Sequence, residues 1–177
     1  MIKSLKKPIV IIFAVVFFVG GAVLTYTFKS NSHSAKASQQ LIAAIWSEDM
    51  QTLSNIVELN PQTINTLPSM SPWWWQLISE QPISLYPLQE ACIVGNYDIV
   101  KLLIDNGADC NLVWKGIEGS KTPLMRAVIY EQETAIDIVE LLLESGADKN
   151  LRDNSGKTAY DYALQNGNLE LAELLRQ

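Results

Sequence analysis

The hydrophobic and polar positions fall into two regimes along the chain. Pro8 to Phe28 is a run of 21 residues without charge, rich in Ile, Val and Phe. As a helix it spans ~30 Å, about the thickness of a bilayer's hydrocarbon core. A buried helix of a soluble domain rarely runs that far without a polar face. From residue 38 onward the apolar positions recur at helical spacing in short segments. Leu88 and Ala91 form one stripe, and Ile99, Val100, Leu102 and Leu103 form the next. Gly95-Asn96 between them predicts a tight turn, because Gly and Asn tolerate the left-handed conformation. Gly107 predicts a C-cap for the second helix.

The short helical segments repeat. Tyr86–Asn111 reads YPLQEACIVGNYDIVKLLIDNGADCN, and Thr122–Asn150 repeats it once three extra residues are allowed between Ala127 and Asp137. A third copy runs from Thr158 to Gln177. Pro87 to Pro123 and Pro123 to Ala159 are both steps of 36 residues, a period that means stacked units. One helical hairpin cannot bury its apolar face alone, whereas a stack can. Upstream, Leu41–Asn65 is a weaker copy, with Ala44, Leu53, Ile56 and Val57 where Ala91, Val100, Leu103 and Ile104 fall. There Glu48-Asp49 replaces Gly-Asn and Asn60-Pro61 replaces the C-cap glycine.

Thr122-Pro123-Leu124, Gly-Ala-Asp-x-Asn at 107–111 and 146–150, and RDNSGKTA at 152–159 resemble the ankyrin repeat, over residues 84–177. The resemblance implies an all-α ankyrin-repeat solenoid of about four stacked helix pairs. The apolar run ahead of it adds one expected N-terminal transmembrane helix. The expected organisation is an anchor at 1–29, a polar linker at 30–37 and a repeat domain at 38–177. Within the domain lie a degenerate cap (38–65), a Trp-rich insertion (66–84) and repeats at 85–111, 122–150 and 156–177.

Charge follows the same division. Residues 1–37 hold five Lys and no acid, while 38–177 hold 8 basic and 19 acidic residues, a net of −11. Lys3, Lys6 and Lys7 precede the apolar run, which keeps the N-terminus cytoplasmic and sends the rest across. A retained anchor and a cleaved export signal both fit, and the length favours the anchor. For a bacterial protein the domain then faces the periplasm from the inner membrane, held by residues 8–28. An acidic domain repels nucleic acid. Solubility accounts for its charge, and a basic partner is the second account. Cys92 and Cys110 fall at small, buried repeat positions and read as free thiols, with pairing in an oxidising compartment the alternative.

Little catalytic chemistry is available. The single histidine, His33, lies in the polar linker, which removes most Ser-His, Cys-His and zinc schemes. No phosphate-cradling glycine loop and no nucleophile elbow is present. Glu131 and Glu133 read as a solvated face, and Asp109 and Asp148 belong to the repeat turn. No catalytic, metal or cofactor site is expected, so a binding module is.

Three departures from the repeat pattern mark candidate contact residues. The insertion carries Trp73, Trp74 and Trp75. These plug a gap between units, form an exposed anchor, or touch a membrane interface. The joint Asn111–Thr122 is longer than Asn150–Thr158 and places Trp114, Lys115 and Ile117 at a fingertip. The third departure is the insertion at Tyr130–Thr134. In ankyrin folds the two residues before the glycine turn face the concave groove. Here they are Trp46-Ser47, Ile93-Val94, Ile129-Tyr130 and Gln165-Asn166, of which the first three pairs lean apolar. Trp46, Ile93, Val94, Ile129 and Tyr130 are therefore expected to meet a protein partner, unless the Trp-rich insertion folds back over them. Small exported ankyrin proteins include immunity proteins against secreted effectors such as type VI lipases. The alternatives are an envelope or stress-related scaffold supporting a periplasmic protein, such as a catalase, and a thiol redox sensor.

Overall fold

The computed structural model describes residues 33–67, 85–116 and 119–176. The expected span at 8–28 and the Trp-rich stretch lie outside these. Among the described residues no helix is long and apolar enough to cross a membrane.

Four helix pairs follow one another: α1 (His33–Trp46) with α2 (Met50–Leu59), α3 (Pro87–Val94) with α4 (Tyr97–Asp105), α5 (Pro123–Tyr130) with α6 (Ala135–Glu144), and α7 (Ala159–Asn166) with α8 (Leu169–Arg176). α1 begins at His33, inside the stretch expected to be a polar linker, and Ala37 and Ser38 are already buried. The first helices α1, α3, α5 and α7 pack in sequence, and so do the second helices α2, α4, α6 and α8. Two helical layers result.

The core lies between those layers. Leu41, Ala44 and Ile45 meet Leu53, Ile56 and Val57 in the first pair; Leu88 and Ala91 meet Ile99, Val100 and Leu103 in the second. Each fully buried Leu or Ile contributes ~1.5–3 kcal/mol by leaving water. The alanines, Ala44, Ala91, Ala127 and Ala163, recur at one helical position, all at most 4% exposed. Their small size lets neighbouring first helices approach closely.

The starts and stops have local causes. Thr122 Oγ1 accepts the Met125 amide at 3.2 Å, and Thr158 with Asp161 closes a reciprocal capping box. Gly107 (φ 88°) and Gly146 (φ 89°) end α4 and α6 in the left-handed region. Each is followed by paired bonds, Gly107 N–H to Ile104 O and Ala108 N–H to Leu103 O, then Gly146 N–H to Leu143 O and Ala147 N–H to Leu142 O. This Schellman arrangement satisfies carbonyls the helix leaves open. The Gly95-Asn96 turn corrects the expectation: Gly95 is left-handed (φ 78°), but Asn96 is extended (φ −90°) and caps α4 by accepting from the Ile99 amide. Asn is used for its oxygen here.

The joint after α4 departs from an all-helical design. Trp114–Gly116 (β1) pairs antiparallel with Gly119–Lys121 (β2), Trp114 opposite Lys121 and Gly116 opposite Gly119. The extra length of this joint lets it fold on itself as a two-stranded ribbon. The shorter 150–158 joint instead closes on Asp153, whose carboxylate accepts from the amides of Ser155 and Lys157, the Ser155 hydroxyl and the Tyr162 hydroxyl.

Candidate protein-binding surface

The stack has two long edges, one made by the fingers and one by the turns inside each helix pair. The finger edge is regular. Asn65 donates to Gly107 O at 2.8 Å and accepts from the Asp109 amide at 2.9 Å. One unit on, Asn111 donates to Gly146 O at 2.9 Å and accepts from the Asp148 amide at 2.7 Å. Each asparagine thus clamps the next unit's turn. Asp109 holds Asn111 in place by accepting from its amide, and Asp148 accepts from the Asn150 amide in the same way. Buried Gln89 roots the ribbon, donating to Leu112 O at 3.0 Å and Lys121 O at 2.7 Å.

The turn edge is locked in two ways, one at the first and third joints and another at the middle one. Glu48 and Glu131 occupy the left-handed position that Gly95 and Gly167 occupy elsewhere, at φ 54° and 44°. Each accepts from an asparagine of the following unit: Asn96 to Glu48 at 2.6 Å, Asn168 to Glu131 at 2.5 Å. These contacts help hold a conformation that disfavours side chains by ~1–2 kcal/mol. The middle joint is made by the inserted residues. Thr134 donates its hydroxyl to Gly95 O, and Gln132 lies so close over Gly95 that an added Cβ would sit 2.3 Å from its Cγ. The insertion seals the neighbouring turn. Of its three extra residues, two lengthen this turn and one lengthens the start of α6.

The predicted contact residues divide accordingly. Trp46, Ile93, Val94, Ile129 and Tyr130 stand at the C-terminal ends of α1, α3 and α5, beside the turn edge. Trp46 is 49% exposed and Tyr130 42%, while Ile93, Val94 and Ile129 are half-buried. Trp46 is also held: its indole N–H donates to Glu90 Oε2 at 3.1 Å, and the other oxygen of buried Glu90 accepts from the Leu85 amide. Its ring is exposed while its polar atom is satisfied. Trp114 and Lys115 lie on β1. Trp73, Trp74, Trp75 and Ile117 lie outside the described residues.

Sequence reasoning did not find Gln89, Glu90 or Gln132. Two polar residues within the buried stripe of a first helix were the available signal for the first pair. The sequence marked the insertion that holds Gln132, but not its contact with Gly95.

The titrating groups favour structure over chemistry. Burial pushes Asp153 up, but hydrogen bonds from Tyr162, Ser155 and the Lys157 backbone outweigh it and hold its carboxyl at about 2. Burial raises the Tyr162 hydroxyl, with Asp153 adding to the effect. Burial also raises the Cys92 and Cys110 thiols, the latter with help from the Asp109 charge. A buried thiol held protonated is a poor nucleophile, which argues against the redox sensor. Both cysteines are free. Among the described residues no group of His, Cys, Asp and Glu is placed to hold a metal.

A family model of ankyrin repeats in three copies matches residues 88–177, just over half of the sequence. The chain belongs to the ankyrin-repeat family. No individual curated protein matches it. Ankyrin repeats are protein–protein interaction modules, so this protein is a binding module. The matched span begins within α3, and the pair α1–α2 extends the array upstream of it.

Proposed function

We propose that this ankyrin-repeat protein is an immunity protein, an inhibitor that neutralises a secreted toxic enzyme by direct contact at the outer face of a bacterial inner membrane. The observation that carries the contact surface is the exposed Trp46 and Tyr130 with half-buried Val94 between them in the chain, on a scaffold whose turns are cross-linked from unit to unit. Rigid aromatic side chains at low entropic cost are what tight protein recognition uses. The reading of location rests on the 21 uncharged residues after Lys7. A domain poor in catalytic groups fits an inhibitor.

The test is capture on the full chain, with Trp46→Ala and Tyr130→Ala beside it, from the source's secreted and envelope fractions. The expected result is one secreted enzyme held at one to one, inhibited by the purified protein, with capture weakened about tenfold or more in the variants. Capture of resident envelope proteins alone, unchanged in the variants, overturns the inhibitor and favours a scaffold. A phosphatase fused after Gln177 tests location, and an inactive fusion in a well-expressed protein overturns export.

A further inference from the structure

The two edges of the stack carry different charge. The four turn segments, 46–50, 94–98, 130–134 and 166–170, contain Glu48, Asp49, Asp98, Glu131, Glu133 and Glu170 and no Lys, Arg or His. All six carboxylates are exposed. None belongs to an ion pair among the described residues. The finger segments 107–121 and 146–158 instead carry Lys115, Lys121, Lys149, Arg152 and Lys157 beside Asp109, Glu118, Asp148 and Asp153. Acid therefore gathers on the edge where Trp46 and Tyr130 are exposed.

A ligand lying along that edge meets apolar faces at the ends of the first helices and a row of carboxylates beside them. An acidic segment is repelled, and a neutral apolar one leaves the carboxylates partly desolvated without a counter-charge. A segment with Lys or Arg flanking aromatic or aliphatic side chains satisfies both rows. We infer that the turn edge is a docking site for a cationic, apolar segment of a protein partner. The inference rests on the binding surface proposed above and names the chemistry of its ligand.

The experiment is selection of a random 12-residue peptide library against the full chain, followed by titration of the enriched peptides at 50 and 300 mM salt. Enriched peptides are expected to combine Lys or Arg with aromatic or aliphatic residues. Their Kd is expected to rise about three- to tenfold with the triple variant Glu48→Gln, Glu131→Gln, Glu133→Gln, and to rise with salt. Glutamine keeps an oxygen to accept from Asn96 and Asn168, so the turns persist. Glu144→Gln, on the second-helix layer, is expected to leave Kd unchanged. Acidic or neutral enriched peptides, no enrichment, or binding indifferent to the triple variant overturns the inference. Loss of binding in Trp46→Ala with indifference to the triple variant overturns it while leaving the surface in place. Indifference to Trp46→Ala, Tyr130→Ala and the triple variant together removes the surface as well.

Discussion

The finger edge and the turn edge solve one problem in two ways. Both must lock each helix pair onto the next. The fingers use the same asparagine clamp twice, from Asn65 to the 107–109 turn and from Asn111 to the 146–148 turn. The turns use a Glu with an Asn, then a Thr and a Gln over a glycine, then a Glu with an Asn again. The clamp is the same at both fingers although one finger is a ribbon and the other closes on Asp153. The turns mix two kinds of lock, and that is where the exposed aromatics and the carboxylates outside any ion pair stand. An edge whose lock can change from joint to joint is one that can be shaped for a partner.

The comparison can be broken by substitution, most sharply at Gly95. A Cβ there meets Gln132 and is forced into the left-handed region, so Gly95→Ala is expected to cost ~2–4 kcal/mol in denaturant unfolding. Gly107→Ala, on the finger side, has nothing within 4 Å of the added carbon and is expected to cost ~1–2 kcal/mol. Equal costs would mean that the insertion does not seal the turn.

Gln89→Ala leaves two finger carbonyls without their buried donor and is expected to cost ~2–3 kcal/mol. Asn111→Ala removes one exposed clamp and is expected to cost ~1–2 kcal/mol. Asn150 bonds to Asp148 within its own unit, so Asn150→Ala is expected to cost less than ~0.7 kcal/mol. A thermal melt in which Asn150→Ala matches Asn111→Ala would sink the clamp between units.

Asp153 links the finger edge to pH. Its carboxyl sits at about 2 in the fold against an ordinary 3.8. A depressed folded value contributes stability that is present above the unfolded value and lost as pH falls through the folded one. Unfolding free energy is therefore expected to decline between about pH 4 and 2. Asp153→Asn removes its share of that decline, and an acid limb identical in the variant would refute it.

A small effect is also expected at Glu48→Gly. Relief of the left-handed strain offsets the lost Asn96 contact and the looser unfolded chain, so stability should change by less than ~1 kcal/mol. Circular dichroism melts decide this, and a loss above 2 kcal/mol would show that the Glu48 clamp matters more than its backbone.

Much of the fold was legible because it is local and repeated. Gly107 terminates its helix as its place in the repeat implies, and Leu88 and Ala91 lie on a buried face. The role of Asn96 was misread, since its amide tolerates left-handed backbone and also caps, and sequence does not separate the two. The ribbon of 114–116 with 119–121 was missed because two pairing segments of three residues each carry little strand signal. Of the candidate contact residues, Trp46 and Tyr130 were singled out by their place in the repeat, and both are exposed. The Glu90 bond that holds Trp46 spans 44 residues.

By itself, the sequence determined the repeat, the helix ends, the small-residue stripe and the sorting of charge along the chain. Those features depend on neighbours three or four residues away and on a 36-residue period, and both are written in the order of residues. Tertiary structure alone decided that Gln132 closes the turn of the preceding unit, that Gln89 roots the ribbon and that acid lies beside the exposed aromatics. Those are contacts between units, and their partners are set by how one helix pair rests on the next.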